Sequence, residues 1–593
     1  MMRYGLSCFL MIVACAPPPP APAPAPRSTA PGPAVVVGAP VIPDAWSLRG
    51  RAEPVIAPRA MVVSGHPLAS EVGVEILRQG GNAIDAAVAV GFALTVVLPE
   101  AGNIGGGGFF VFRDTAGRVR ALDYRETAPA RATRDMYLDS AGNVTDKSLT
   151  GHLAVGVPGS VAGLHAMWQA GALLPWATLL EPAIRLARDG HLVDSVRNES
   201  IADDVDRLRR FAASAAQFLV NDTAPPRGAL LRQPDLARTL RLVADSGPAV
   251  FYQGQIAALI VEEMKRGGGL ISGEDLAGYR AKWRDPIELS YRGHTIYSMS
   301  PPSSGGITLG IILNVMEGYD TLSAFGTPQH VHFNAEAMRR AFIDRNRYLG
   351  DPDFVEMPIT HLLSKSYAAA LRATIEASRA TPTVPAANGS GSGGGGGVNT
   401  THYSIVDAAG NAAAVTTTLN GGFGSAVTVT GGGFLLNNEM DDFTAAPGKP
   451  NYYGLVQGEA NAIAPGKRML SAMTPSIVLD PAGKLFMVLG TPGGPTIITS
   501  VYQVLTNVVD QRMIMAEAVS APRIHHQALP DAIRYEERGL DSTVIAALQM
   551  MGHRLEERRG ANRYSGDIAA IIRGSAGWVG VADPRRGGAA RGW

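Results

Sequence analysis

Hydrophobic positions recur at two different periods along this chain, and the change falls near residue 399. Upstream, the apolar residues of 69–78 return every three to four positions, the spacing of one helix face. Gly80, Gly81 and Asn82 break that helix, and 83–98 resumes as a second, almost wholly apolar one. It contains Asp85 and reads as a buried helix, not a membrane span. Residues 105–108 are all glycine and lead into a strand at 109–113, followed by a hairpin at Thr115, Ala116 and Gly117. From 160 to 280, helical stretches alternate with Gly and Pro breaks, and 333–348 predicts another helix. Downstream the period is two. Segments 401–406 and 412–418 flank a turn at 407–411, and 476–479 and 485–489 flank a second at Pro481, Ala482 and Gly483. Helix returns at 496–509. A helix-rich segment therefore precedes a strand-rich one, with no internal repeat.

The junction carries the most chemistry. Residues 386–397 are rich in Gly, Ser and Asn, cannot bury a core and are expected to be flexible. Thr400 follows at a strand start. A cut before it would place a hydroxyl and a free α-amine on one residue. Such an amine, with a pKa of about 8, is a base for its own hydroxyl. Asn399 supplies the carbonyl for attack by that hydroxyl. One hairpin later come Thr416, Thr417 and Thr418, and strand alternation puts the first and third on one face. Read alone, Thr400 is an ordinary strand residue; the tract, the carbonyl and the hydroxyl-rich partner strand together raise it.

Composition narrows the alternatives. Lys+Arg and Asp+Glu balance at 52 each, so charge offers no case for nucleic acid or an anionic membrane surface. The 593 residues are 46% hydrophobic, enough for a large core. The two cysteines are Cys8 and Cys15, which leaves the body without a disulfide, a thiolate metal site or a catalytic cysteine. Arg3 and the apolar run 4–14 read as an export signal. The run ends in Ala14-Cys15, resembling a bacterial lipoprotein box, with a plain cleaved signal peptide as the alternative. A Pro/Ala-rich tether is expected over 16–45, with order beginning near Pro54.

Three further segments bear chemistry. The strand-to-helix turn Gly490-Thr491-Pro492-Gly493-Gly494-Pro495 could present N–H groups to an oxyanion, or be an ordinary turn. The run Asn437-Asn438-Glu439-Met440-Asp441-Asp442 could be a calcium loop, an acid patch or an ammonium site; it lacks EF-hand spacing. Arg125 could hold a carboxylate through its planar fork, or pair locally with Asp123 or Glu126. No metal-binding Cys pairs, phosphate-loop lysine motif or Gly-x-Ser-x-Gly elbow is present.

Taken together, seven segments resemble the γ-glutamyltransferase (glutathione hydrolase) family and run in its order over about 55–590. They begin at Asp123, Gly156, Pro302, Leu349, Thr400, Leu436 and Thr491. The resemblance implies an N-terminal-nucleophile hydrolase, an α+β four-layer αββα sandwich of stacked antiparallel sheets. One precursor would yield a large fragment, 46–399, and a small one, 400–593. Thr400 would attack the Asn399 carbonyl to mature the chain, then the γ-glutamyl carbonyl of glutathione or a related amide. Thr418 matches the residue that orients the nucleophile, and Gly493 and Gly494 match the oxyanion pair. Arg125 and Ser471 match residues that hold the α-carboxylate; Asn420, Glu439 and Asp442 match those around the α-ammonium. Tyr453, in a lid at 450–454, would cover the bound glutamyl group.

The acyl group would pass to water or to an amino acid or peptide amine, with no metal or organic cofactor and no nucleic-acid partner. One position departs from the pattern. Ala472 stands where the family commonly has a second serine, which removes a hydroxyl from the carboxylate clamp. Two alternatives accompany this expectation. One is a glutaryl or cephalosporin-type acylase of the same family; the other is an uncleaved, non-catalytic binding lipoprotein. The expected location is exported, periplasmic or at the cell surface, anchored through Cys15.

Overall fold

The computed structural model describes residues 34–383 and 399–593. The signal and lipobox ending at Cys15, the tether over 16–33 and the Gly/Ser tract at 386–397 lie outside the described residues.

Two seven-stranded sheets form the centre. The first runs Ala589–Gly592, Met61–Ser64, Thr400–Val406, Ala412–Thr418, Gly107–Arg113, Val119–Asp123, Lys282–Arg284. The second runs Pro54–Ala57, Gly577–Ala582, Ala569–Gly574, Leu485–Gly490, Ser476–Leu479, His294–Ser298, Ile287–Tyr291. Every neighbouring pair in both is antiparallel.

Strand alternation divides the core into three apolar layers. Val63, Phe109, Val111 and Ala414 of the first sheet meet Ile477, Val488 and Ile571 of the second. Their alternates Val62, Phe110, Tyr403 and Val415 face the helices Pro67–Arg78, Ala83–Val97 and Trp176–Asp189. Val478, Met487 and Leu489 face the helices Gly305–Glu317, Pro328–Tyr348 and Thr496–Val509. This is the expected αββα sandwich. Helix Ala83–Val97 is buried at every position, as its composition predicts. Asp85 is tolerated there because it closes a capping box with Asn82 and accepts the N–H groups of Leu173 and Leu174. Among the described residues, no helix is long and apolar enough to cross a membrane.

The expected tether ends earlier than 45. Val35–Val37 form a strand paired in parallel with Thr321–Ser323, and the Trp46 indole donates to Ser520 O at 2.8 Å. The physical reason is the apolar run 34–37, which lets the chain pair with an open strand well before Pro54.

The sheets also cross the junction. Strand Thr400–Val406 lies between Met61–Ser64 from upstream and Ala412–Thr418 from downstream. All seven residues of Thr400–Val406 and all seven of Ala412–Thr418 are buried. A strand covered on both faces needs this arrangement of sheet between sheet and helix.

Candidate active site

Thr400 opens its strand directly opposite Thr418, which closes the neighbouring one. The Oγ1 atoms of the two lie 3.1 Å apart, and both residues are buried. Just beyond Thr418 the chain turns at Asn420, in the left-handed region at φ 75°. That turn brings the Asn420 N–H to 2.8 Å from Thr418 Oγ1. With one lone pair so occupied, the Thr418 hydroxyl is held in place to exchange a hydrogen bond with Thr400. Thr416, on the same face, bonds His402 Nδ1 at 2.8 Å, and burial drives that imidazole down to about 3. Thr417 turns the other way and donates to Gly107 O. The alternation expected of these three threonines is observed.

One cavity gathers Thr400 and Thr418 with Arg125, Asn420, Glu439 and Asp442. It is also lined by Tyr453, Ser471, Ala472 and Gly494. Residues 437–442 reach it through two asparagines. Asn437 Nδ2 donates to Gly105 O and Gly156 O, and Asn438 Oδ1 accepts the Gly421 N–H. They brace the acids against the end of the hairpin that pairs Thr400 with Thr418. Asn420 Nδ2 donates to Asn438 O at 3.0 Å. Sequence reading saw these asparagines only as part of a motif.

Arg125 is fully occupied in this arrangement. Nη1 meets Glu439 Oε2 at 2.6 Å, Nη2 meets Asp442 Oδ2 at 2.5 Å, and Nε donates to Met469 O at 3.2 Å. Glu126 Oε2 stands farther off, 3.6 Å from Nη1. Burial pushes Glu439 well above the carboxylate range against the pull of Arg125; it raises Asp442 in the same way and Glu126 to about 7. Asp123 belongs to a separate pairing, with Arg284 at 2.8 Å and Arg468 at 3.4 Å.

The roof and back wall are equally specific. The Tyr453 hydroxyl donates to Asn420 O at 2.8 Å, closing the 450–454 segment over the cavity. A Cβ at Gly494 would stand 2.6 Å from the Tyr453 ring, and φ there is 55°, so glycine is required for this closure. Gly493, with φ 133°, precedes it in the turn and does not line the cavity. The turn delivers the backbone to the N-terminus of helix Thr496–Val509, where peptide dipoles favour negative charge. Ser471 Oγ accepts the Met473 N–H at 3.1 Å, and its carbonyl accepts from Ser304.

Sequence reading missed Arg345. It lines the same cavity from helix Pro328–Tyr348, and burial lowers its pKa to about 10. The signal was present: Arg345 lies four residues after Ala341 and eight after Ala337, on the buried stripe of that helix.

Away from the cavity, His332, Glu336 and His553 bring ligand atoms within 4.8 Å of one another. His332 Nδ1 and His553 Nε2 are hydrogen-bonded at 2.8 Å, while Glu336 accepts from Arg340 and the Thr381 N–H. The two histidines are bonded to each other, Glu336 is engaged elsewhere, and none of the three lines the cavity.

A buried hydroxyl beside a second hydroxyl, a helix N-terminus and opposed charges form an arrangement chemically suited to acyl transfer on a zwitterionic amide. Comparison with known proteins points the same way. The family model for gamma-glutamyltranspeptidase matches residues 69–593. The chain is 45% identical to a glutathione hydrolase proenzyme of Escherichia coli (strain K12), over 90% of this chain and 91% of that one. The solved cephalosporin acylase of Bacillus halodurans aligns with TM-score 0.80 at 27% identity, covering 93% of this chain and 99% of its own. The solved gamma-glutamyltranspeptidase of Helicobacter pylori aligns with TM-score 0.52 at 47% identity, covering 54% of this chain and 92% of its own.

Proposed function

We propose the following chemistry for this chain, which belongs to the gamma-glutamyltranspeptidase family. It cleaves itself before Thr400, then hydrolyses or transfers γ-glutamyl groups through an ester on that residue. The observation that carries the reading is the Thr400–Thr418 hydroxyl pair opening on a cavity that holds both guanidinium and carboxylates.

In the continuous chain the Thr400 nitrogen is an amide. Its Oγ adds to the Asn399 carbonyl carbon, the C–N bond breaks, and the nitrogen leaves as an amine. Water then hydrolyses the ester, giving an Asn399 carboxylate and restoring the hydroxyl. The new α-amine takes the Thr400 proton as Oγ attacks the γ-carbonyl of the donor, and passes it to the departing amine. For glutathione the leaving group is cysteinylglycine. The γ-glutamyl ester is then released by water or by the amine of an amino acid or peptide.

Thr418 orients the nucleophile, and the Gly493 and Gly494 N–H groups stabilise the developing oxyanion. Loss of one such donor slows acyl transfer about 100- to 1000-fold. Glu439, Asp442 and Asn420 receive the donor's ammonium; Arg125 and Ser471 take part in holding its carboxylate. Because Arg125 already touches both acids, an arriving zwitterion exchanges one set of ion pairs for another. The cut products, 46–399 and 400–593, remain associated because strands from both flank Thr400–Val406. Arg3, the apolar run and Cys15 support export with a lipid anchor.

The test is an intact mass with N-terminal sequencing, followed by glutamate release from glutathione and γ-glutamyl-p-nitroanilide. Two fragments, the smaller beginning at Thr400, are expected, with both events lost in Thr400→Ala. Activity that survives this substitution would sink the reading. A second reading, a glutaryl-type acylase, draws on Ala472, which leaves the carboxylate clamp one hydroxyl short. The acid pair opposes it, since a glutaryl group has no ammonium to offer them. Faster turnover of a glutaryl anilide than of its γ-glutamyl counterpart would reverse that choice.

A further inference from the structure

We propose that Arg345 receives the α-carboxylate of the γ-glutamyl donor. The inference rests on the γ-glutamyl reading above and adds a residue to its recognition site.

The two cavity arginines are in opposite states. Arg125 spends its fork on Glu439 and Asp442 and its Nε on Met469 O. Arg345 is as deeply buried, at 1% exposure, but meets only neutral acceptors. Its Nε donates to Ser304 Oγ at 3.1 Å, and Nη1 donates to Asn346 Oδ1 at 2.9 Å and Gln457 Oε1 at 2.8 Å. Nη2 has no hydrogen-bond partner, and no carboxylate stands within 4.0 Å of the guanidinium, among the described residues.

The opposite charge that acts on Arg345 is Asp442, which is already bonded to Arg125; the buried guanidinium thus has no counter-ion of its own, and an anion placed in the cavity beside it offsets the cost of its burial. The γ-glutamyl donor brings such an anion, and a guanidinium edge suits a carboxylate in shape and charge. Arg345 is also coupled to the expected clamp. Ser304, which accepts from Arg345 Nε, donates both its N–H and its hydroxyl to Ser471 O. Arg345 and Ser471 therefore approach the cavity from one connected wall. Where Ala472 lacks a hydroxyl, Arg345 supplies a charged donor in the same cavity.

Calorimetric binding to the mature protein tests this with two ligands, L-glutamate and L-isoglutamine, whose α-carboxylate is replaced by a carboxamide. In Arg345→Gln the Kd for glutamate is expected to rise about 10- to 100-fold, the range for losing a hydrogen bond to a charged group. The Kd for isoglutamine is expected to change less than about threefold, the scale of a surface contact. Arg345→Lys keeps the charge without the fork and is expected to fall between wild type and Arg345→Gln. Equal weakening of both ligands would make Arg345 a structural residue and overturn the proposal, as would unchanged glutamate affinity. If Arg345→Gln does not mature, the same ratio in Arg345→Lys decides. Wild-type protein that binds glutamate yet releases none from γ-glutamyl-p-nitroanilide refutes the reaction, while the ligand ratio still decides Arg345. Wild-type protein indifferent to glutamate overturns both.

Discussion

Two buried arginine–carboxylate clusters in this molecule draw on the same residue types and differ in saturation. In the first, Arg585 and Arg523 meet Glu536 and Asp583. Glu536 Oε1 accepts from the Ser565 N–H and Arg585 Nε, and Oε2 from the Arg523 N–H and Arg585 Nη2. Asp583 Oδ1 accepts from the Arg585 N–H and Nη1, and Oδ2 from Arg523 Nη2 and the Ile568 N–H. Every carboxylate oxygen is doubly satisfied. In the second, the cavity cluster, Glu439 touches Arg125, Glu126 stands 3.6 Å from it, and neither acid has a further well-formed hydrogen bond among the described residues. Saturated charge holds a fold together. Unsaturated charge at a cavity is held ready for something that is not protein.

The strongest separation of the two comes from Thr400→Ala. It should leave both clusters and the cooperative unfolding transition in place while lowering turnover by about 10⁴- to 10⁶-fold, the scale of losing a nucleophile. Circular dichroism and a glutamate-release assay on the same preparation check this. Next, Arg585→Met strips Glu536 of its guanidinium partner and leaves Asp583 with Arg523 alone. Chemical denaturation should show a loss of about 3–5 kcal/mol, the range for removing one partner of a buried pair. If Arg585→Met instead left stability unchanged, the contrast between the clusters would fail.

The pH dependences contributed by Glu126 and by Asp583 should have opposite signs. Glu126 is raised to about 7, chiefly by burial, so folding holds its proton between the unfolded value and about 7. Its stabilising contribution is full below the unfolded pKa and is lost as pH rises through about 7. Asp583 lies lower than usual because Arg523 and Arg585 outweigh its burial. Its contribution is present above the unfolded pKa and is lost as pH falls through the folded one. Glu126→Gln should therefore flatten the decline in stability between about pH 4.5 and 7 by on the order of 2–3 kcal/mol. Thermal melts of both proteins across that interval measure the slope, and parallel slopes would count against it. The smallest effect belongs to Ala472→Ser. It adds one hydroxyl to the unsaturated cavity and should lower the KM for γ-glutamyl-p-nitroanilide about fivefold, near 1 kcal/mol. An unchanged KM would place residue 472 outside carboxylate recognition.

Much of this was legible in the residues. The helices at 83–97 and 496–509 and the strands at 400–406 and 412–418 follow from period and turn chemistry, because local backbone preference and burial agree there. The hydroxyl face of Thr416 and Thr418 follows from strand alternation alone. Segment 34–45 was misjudged because Pro and Ala composition outweighed three valines. Those valines are ordered by a partner almost three hundred residues away. Arg345 stayed hidden because a cation on a helical stripe has no local mark of whether it points to water, to a carboxylate or to a cavity.

By itself, the sequence determined where the long periodic helices and the paired hairpin strands lie, which hydroxyl heads its strand, and which charged residue types are available for a zwitterion. These depend on short-range periodicity and covalent order. Only the tertiary structure decided that Arg125 is already paired and Arg345 is not, that Tyr453 closes against a glycine, and that one charge cluster is saturated while the other is open. Each of those is a matter of which distant groups come within hydrogen-bond distance, and residues as far apart in sequence as Arg125 and Asp442 meet only when the chain has folded.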